Sequence, residues 1–170
     1  MTPNGIAIAG KSPVIFLDMD GVISTARAHK ARAGDIWPDR WIDAEAVANL
    51  NDLCARSGAI VVVSSTWRLN HDGGEFLTIL NRNGFTGTIH DDWRTKSLIT
   101  AVPGSSLVAA TMRGEEVLEW LSRHPEVTRH VILDDDSDFL PDQPLIKTPF
   151  ETGLSVGHVE VALALLAALP

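Results

Sequence analysis

Residues 14–24 read VIFLDMDGVIS. The first four residues are apolar, and so short an apolar run next to polar residues is typical of a buried strand. Asp18 and Asp20 follow, and alternate positions of an extended chain point to the same side. Two close carboxylates repel each other, so the pattern indicates a hard divalent cation with oxygen ligands. Gly21 permits a sharp exit from the strand. The competing interpretation is an acidic turn without a ligand.

Two further apolar runs end in polar residues. AIVVV at 59–63 precedes SSTWR at 64–68, and HVIL at 130–133 precedes DDDSD at 134–138. Ligands of open parallel sheets collect outside the carboxyl ends of the strands. We therefore expect both acidic clusters to converge on one metal, with hydroxyl and backbone N–H groups of SSTWR beside them. The competing interpretations are a solvated acidic turn and a helix N-cap by a serine.

Helical periodicity separates the apolar runs. Asp43 is a predicted N-cap for a helix over 44–57 that Gly58 ends. Other predicted helices cover 74–82, 114–123 and 156–168, and weaker strands cover 85–90 and 144–148. In the helix over 114–123, we expect Val117, Leu118 and Leu121 to face inward. The alternation predicts an α/β fold, a Rossmann-like three-layer sandwich around a central parallel sheet.

The remaining segments predict little structure of their own. Residues 21–40 and 91–112 lack periodicity, so we expect loops with at most a small flap and no large cap domain. Residues 1–170 are predicted to form one domain, with 1–12 a flexible N-terminal segment. Residues 5–12 (GIAIAGKS) match a P-loop pattern, but Pro13 and a β-type run follow where that motif needs a helix.

Composition narrows the classes of function. Of the 170 residues, 45% are hydrophobic and 21% charged, and the formal net charge is −8. Proteins that hold nucleic acid by charge alone are usually basic, so non-specific binding is disfavoured. No apolar run approaches the ~18 residues of a membrane span, and no signal peptide is visible. We expect a cytoplasmic protein with no membrane association and no obligate protein partner, and an inert buried thiol at Cys54.

Taken together, the motifs resemble the haloacid dehalogenase (HAD) superfamily. Its pattern is a strand ending D-x-D-G, a strand ending in Ser or Thr, a Lys or Arg before a helix, and a strand ending D-D. The matching positions here are Asp18, Asp20, Ser64, Arg113, Asp134 and Asp135. More narrowly, SSTWR, RGEEVLEWL, VILDDDSDF and KTPFETGLS resemble the HAD domains associated with RNA-repair proteins.

The resemblance implies a Mg²⁺-dependent phosphomonoesterase. Asp18 would attack phosphorus to form an aspartyl-phosphate, and Asp20 would act as general acid and then general base. The metal would be held by Asp18, by the backbone carbonyl of Asp20 and by Asp135, with Asp134 close behind. Which of Asp134 and Asp135 is the direct ligand is left open, and Asp138 is a more distant candidate.

The same resemblance assigns the phosphate contacts. Ser64 would bind a phosphoryl oxygen, and Arg113 would neutralise charge on the phosphoryl group and on Asp18. Lys96 is the alternative to Arg113. The residues expected on the substrate side are Gly21, Ser65 and Arg68.

A site without a large cap suits a substrate that brings its own bulk. We expect a nucleotide or polynucleotide terminal phosphate, since aromatic side chains in rim loops can stack on bases. The aromatic residues in candidate rim loops are Trp37, Trp41, Trp67 and Trp93. The competing interpretation is that these tryptophans are partly buried packing residues. The alternatives are a small-metabolite or phosphoprotein phosphatase, a phosphotransferase on the same fold, and a non-catalytic binding module.

Overall fold

The computed structural model describes residues 12–33, 41–101 and 108–168. In chain order the elements are β1 (Val14–Leu17), α1 (Ala26–Ala31), α2 (Ala44–Ser57), β2 (Ile60–Val63), a 3₁₀ helix (Thr66–Leu69), α3 (Gly73–Arg82), β3 (Ile89–Arg94), β4 (Ile99–Ala101), β5 (Val108–Ala110), α4 (Arg113–Arg123), β6 (His130–Asp134), β7 (Leu145–Lys147) and α5 (Val156–Ala168).

Five strands form one parallel sheet with the order β3-β2-β1-β6-β7, so β1 is central. The strand ends are in register across the middle of the sheet. The Asp18 N–H donates to the Leu133 carbonyl at 3.0 Å, and the Ser64 N–H donates to the Leu17 carbonyl at 2.9 Å. The residues that follow β1, β2 and β6 therefore leave the sheet side by side.

Helices cover both faces of the sheet, as an all-parallel sheet requires. Alternate side chains of β1 point to opposite faces of the sheet and pack in different core clusters. Ile15 and Leu17 pack in a cluster with residues of α2, α3 and α5. Val14 and Phe16 pack with α4, where the Phe16 and Trp120 rings meet edge to face at 5.3 Å. Burying a large apolar side chain stabilises the folded state by about 1.5–3 kcal/mol. Packing on both faces therefore fixes the position of the strands, and of their ends, relative to the helices. The predicted three-layer α/β fold is confirmed.

The helix predicted over 44–57 is α2, with the predicted ends. The Asp43 carboxylate accepts from the N–H groups of Glu45 and Ala46, and Gly58 ends the helix at φ 68°. The same carboxylate also accepts from Thr25 Oγ1 at 2.8 Å and from Arg27 Nε at 2.8 Å. Asp43 therefore anchors α1 as well as α2, and both lie beside the turn that follows β1.

Cys54 lies in the same helix and is buried. Burial raises the pKa of its thiol to about 12. Because the thiolate is the reactive form, Cys54 is an inert packing residue, as its position in the helical pattern predicts.

Three sequence expectations need correction. The segment 21–40 contains α1, and the segment 91–112 contains the antiparallel β4–β5 hairpin, so neither is wholly irregular. The strand expected at 85–90 begins only at Ile89 and continues to Arg94. In α4, Leu118 is 53% exposed while Trp120 is fully buried. Val117 and Trp120 are three residues apart and share the inward face, whereas Leu118 lies on the outward face.

The predicted flexible segment 1–12, with its P-loop-like letters, lies outside the described residues except for Ser12, and Trp37 lies outside them as well. Within the described ranges, no insertion is large enough to form a separate cap domain. None of the described helices is both long enough and apolar enough to cross a bilayer.

Candidate active site

Three carboxylates meet at the carboxyl edge of the sheet. Asp18 follows β1, Asp134 ends β6 and Asp135 comes next, and one oxygen of each lies within 4.8 Å of the other two. Asp18 is 5% exposed and Asp134 is fully buried. The register of β1 and β6 produces this cluster, because equivalent positions of adjacent parallel strands lie side by side. The structure thus brings together two acidic segments that are far apart in the sequence.

The electrostatics of this cluster favour a cation. Burial, together with the nearby Asp18 charge, raises the pKa of Asp134 to about 7. Burial raises the pKa of Asp18 against the opposing effect of Arg113, and burial with the Asp18 charge raises that of Asp135. The Asp134 Oδ2 atom is buried and accepts no hydrogen bond from the described residues, although the Arg113 guanidinium lies 3.3 Å away as an ion pair. Closely spaced, partly unsatisfied oxygen donors of this kind fit Mg²⁺.

Arg113 supplies positive charge to the carboxylate cluster. It is the first residue of α4, and its Nη1 lies 2.9 Å from Asp18 Oδ1 and 3.3 Å from Asp134 Oδ2. The Asp138 carboxylate accepts from the Arg113 N–H at 3.1 Å, and the Asp138 carbonyl accepts from the Gly114 N–H at 3.0 Å. Asp138 therefore acts as the cap of α4 and sets the position of Arg113 above the carboxylates.

Lys96, the alternative cation in the sequence, lies elsewhere. Its Nζ is 2.7 Å from Glu119 Oε1 on α4, and its side chain is 58% exposed. Of the two candidates, only Arg113 contacts the carboxylate cluster.

Gly21 shapes the turn after β1. Its φ is 73°, and a Cβ atom placed on it would lie 2.3 Å from Asp135 Cγ. Its carbonyl accepts from Thr148 Oγ1 at 2.7 Å. The sequence suggested that Gly21 binds substrate. The structure places it against Asp135, where the missing side chain makes room for that carboxylate.

The two serines after β2 are buried and differ in their contacts. The Ser65 hydroxyl accepts from the Trp67 N–H at 3.3 Å. Hydrogen bonding by Ser65 opposes part of the rise that burial causes in the pKa of Asp18. The Ser64 hydroxyl has no hydrogen-bond partner among the described residues, while its carbonyl accepts from Arg113 Nη1 at 3.1 Å. Ser65 is therefore near the nucleophile candidate, and the Ser64 hydroxyl is a buried group without a hydrogen-bond partner among the described residues.

Arg68 requires a correction. We expected it to bind the substrate, but it is 3% exposed and its guanidinium is enclosed by protein. It pairs with Glu116 Oε2 at 2.6 Å and donates to the carbonyls of Thr95, Ser64 and Ser65. A guanidinium with these partners holds the segment after β2 against α4 and is not available to a substrate.

Two contacts were not anticipated. The Trp67 indole N–H donates to Asp20 Oδ2 at 2.9 Å. The exposed Arg94 lies over the Trp93 ring at 5.0 Å from its centroid and donates to the Arg68 carbonyl. Arg94 is the last residue of β3. Ligands gather at the carboxyl ends of strands, so a strand predicted to end at residue 94 would have identified Arg94 as a candidate. The strand was predicted to end at residue 90.

The position of Gly21 leads to a prediction with a matched control. Gly21→Ala and Gly58→Ala both place a side chain at positive φ, but a Cβ at Gly58 has no atom within 4 Å. Both substitutions should cost about 1–2 kcal/mol of left-handed backbone strain. Only Gly21→Ala should also displace Asp135 and weaken Mg²⁺ binding, by about tenfold or more.

The measurements are the free energy of unfolding in denaturant and Mg²⁺ titration by calorimetry. Equal Mg²⁺ affinities in the two variants would show that Gly21 does not set the position of Asp135.

Comparison with known families gives one match. The model described as the HAD domain in Swiss Army Knife RNA repair proteins matches residues 14–159. The matched range runs from β1 into α5 and includes the three carboxylates and Arg113. No curated protein and no solved structure matched the chain. Because the match covers most of the sequence and the fold agrees with it, the chain belongs to the family of HAD domains found in Swiss Army Knife RNA repair proteins.

Proposed function

We propose that this protein is a Mg²⁺-dependent phosphomonoesterase that forms an aspartyl-phosphate on Asp18 and acts on the terminal phosphate of a nucleotide or polynucleotide. Membership of the HAD family indicates a hydrolase, typically a phosphatase. The observation that carries the proposal is the carboxylate cluster at the sheet edge, within 4.8 Å, with Arg113 at 2.9 Å from Asp18.

The proposed chemistry has two displacements at phosphorus. A carboxylate oxygen of Asp18 attacks, and the bond between phosphorus and the leaving oxygen breaks while Asp20 gives that oxygen a proton. Asp20 then takes a proton from a water molecule that attacks the aspartyl-phosphate, which releases inorganic phosphate and restores Asp18. Arg113 and the Ser64 hydroxyl stabilise the charge on the phosphoryl oxygens, which is the main requirement of phosphoryl transfer.

The metal site in this proposal uses the carboxylates of Asp18, Asp134 and Asp135 and the backbone carbonyl of Asp20. When bound, Mg²⁺ supplies positive charge that offsets the phosphoryl oxygens and the carboxylates. HAD domains generally use this ion, and the donor set here is all oxygen. The Asp20 carboxylate accepts from the Trp67 indole N–H and is assigned in this proposal to proton transfer, while its backbone carbonyl is assigned to the metal.

The substrate class follows from the open sheet edge. The described part of the chain places no separate domain over the carboxylates, which supports a substrate larger than a sugar phosphate. Arg94 ends β3, two strands from β1 in the sheet order. At about 4.8 Å between strands, Arg94 lies roughly 10 Å across the edge from Asp18. We propose that Arg94, in place of Arg68, contacts the phosphate next to the terminal one. The net charge of −8 favours such a short contact over a long basic groove.

The first prediction concerns the nucleophile. Asp18→Asn should lower kcat at least about a thousandfold, because an amide cannot attack phosphorus and removing a nucleophile leaves only residual catalysis. Asp142→Asn, which changes an exposed carboxylate, is the control and should retain activity. Hydrolysis of p-nitrophenyl phosphate with Mg²⁺ is the measurement, and circular dichroism checks the fold. Near-normal turnover by folded Asp18→Asn would contradict the covalent scheme.

The second prediction concerns the metal and pH. The pKa of Asp134 is raised to about 7, so a proton occupies this carboxyl group at low pH and is lost as the pH rises. Mg²⁺ must displace that proton, so its affinity should increase between about pH 5.5 and pH 8.5 and binding should release protons. Calorimetry in buffers of different ionisation enthalpy measures both quantities.

Two variants make the metal assignment specific. Asp135→Asn should weaken Mg²⁺ binding more than Asp138→Asn does, because Asp138 lies at the cap of α4 and its amide replacement can still accept from Arg113. The reverse order, or an affinity that does not change with pH, would contradict the assignment.

The third prediction concerns the substrate. At low salt, kcat/KM should be highest for a 3′-phosphorylated oligonucleotide, lower for a mononucleotide and lowest for glucose 6-phosphate. Stacking on one aromatic ring contributes about 1–3 kcal/mol, which corresponds to roughly tenfold or more in favour of a nucleotide. Arg94→Gln should reduce the advantage of the oligonucleotide over the mononucleotide. The control is Arg56→Gln, an exposed arginine at the far end of α2. Equal values for the three substrates would eliminate the nucleic-acid proposal.

A further inference from the structure

We propose that Trp67 is a positioning residue for proton transfer, whose indole N–H fixes the Asp20 carboxylate so that Oδ1 carries the proton given to the leaving group. The proposal rests on the function above, in which Asp20 is the general acid and base. It adds a residue that acts through Asp20 and does not itself touch the reacting atoms.

The first step in the argument is the contact itself. Trp67 Nε1 and Asp20 Oδ2 are 2.9 Å apart, a normal hydrogen-bond length, although the residues follow different strands and are 47 positions apart. Both side chains are half-buried. Asp20 lies on the turn that leaves the sheet, where a carboxylate without a partner would sample several rotamers.

The second step is the chemistry of the donor. An indole N–H can donate a hydrogen bond but cannot accept one. In a carboxylic acid the carbonyl oxygen is a better acceptor than the hydroxyl oxygen. The hydrogen bond to Oδ2 therefore favours the acid form of Asp20 that carries its proton on Oδ1. A general acid works only when its proton lies within hydrogen-bond reach of the leaving oxygen, so selecting the protonated oxygen is part of the catalytic geometry.

The third step is the rigidity of the support. Trp67 lies in the 3₁₀ helix Thr66–Leu69, and its backbone N–H donates to the Ser65 hydroxyl at 3.3 Å. The next residue, Arg68, is buried, and it binds the carbonyls of Ser64 and Ser65 as well as Glu116. The Trp67 ring also packs against the core cluster that contains Leu17 and Val63. The indole is therefore held by the segment after β2 that also carries both serines.

A packing role for Trp67 makes a different prediction from a positioning role. Loss of packing should weaken turnover of every substrate alike. Loss of the aligned proton should matter only where the leaving group needs a proton to depart. The value of kcat/KM covers steps up to the first irreversible one, which is the departure of the leaving group, and so it separates the two roles.

The experiment compares kcat/KM for 2,4-dinitrophenyl phosphate, whose leaving group departs as a stable anion, with kcat/KM for β-glycerophosphate, whose alkoxide requires a proton. General acid catalysis contributes about 10²–10⁴-fold. Asp20→Asn should lose roughly that factor on the alkyl substrate only. Trp67→Phe should lose about 10–100-fold on the alkyl substrate and less than about threefold on the aryl one. In the Asp20→Asn background, Trp67→Phe should cause no further selective loss.

Two additional proteins isolate the N–H group. Replacing the Trp67 indole with benzothiophene, by incorporation of β-(3-benzothienyl)alanine, keeps the shape and removes the donor, and it should reproduce the selective loss even if Trp67→Phe folds poorly. Trp93→Phe, at another half-buried tryptophan that packs on Phe76 at 5.5 Å, should change both values by the same factor.

The outcomes separate the two proposals. An equal loss on both substrates in the Trp67 variants would overturn the positioning role while leaving the proposed function intact. Absence of any leaving-group dependence in Asp20→Asn would overturn the general-acid assignment and the positioning role of Trp67, while the nucleophile and the metal are tested by Asp18→Asn and by Mg²⁺ binding. A selective loss in Asp20→Asn and in both Trp67 variants supports the inference.

Discussion

The repulsion among three carboxylates at one edge of the sheet is the constraint on which the rest of the structure depends. Asp18, Asp134 and Asp135 lie within 4.8 Å of one another, and burial makes their charges more costly. The protein offsets part of this cost with Arg113, and a divalent cation would offset more. A phosphate dianion approaching the same edge would be repelled by these carboxylates until positive charge outweighs them. In the proposed function, the cluster would be both the source of the nucleophile and the reason for a metal requirement.

Several unrelated parts of the chain serve this constraint. Asp138 caps α4 and so brings Arg113 to the carboxylates. Gly21 has no side chain where Asp135 must lie. The buried pair of Arg68 and Glu116 joins the segment after β2 to α4 at 2.6 Å. Buried ion pairs are weak evidence for stability, because removing two charges from water is expensive. The value of this pair is positional, since it connects the serines beside Asp18 to the helix that carries Arg113.

The open sheet edge is the basis for the proposed substrate class. In the proposal, a polynucleotide end would extend from the carboxylates towards Arg94 at the end of β3, whereas a small sugar phosphate would not reach that residue. Discrimination against small substrates would then come from contacts beyond the reacting phosphate. The match to the HAD domain of RNA repair proteins is compatible with this proposal. The acidic net charge favours a substrate that is held by a few contacts near its terminal phosphate.

The sequence by itself determined β1, β2 and β6, the ends of α2 and the α/β class, because apolar runs, Asp43 and Gly58 act through their immediate neighbours. It also identified Asp18 and Asp134 as candidates, because carboxyl ends of parallel strands meet at one edge. Arg113 was identified through the resemblance to the HAD superfamily. It could not predict the burial of Arg68 or the exposure of Leu118. A charged residue after a strand suggests exposure, but Arg68 is buried in an ion pair with Glu116. An apolar residue suggests burial, but the orientation of α4 turns Leu118 outward. The contacts of Trp67 with Asp20 and of Gly21 with Asp135 were decided only by the tertiary structure. Each contact joins two residues that follow different strands. Such contacts depend on where each strand ends and on the path of the turn that follows it.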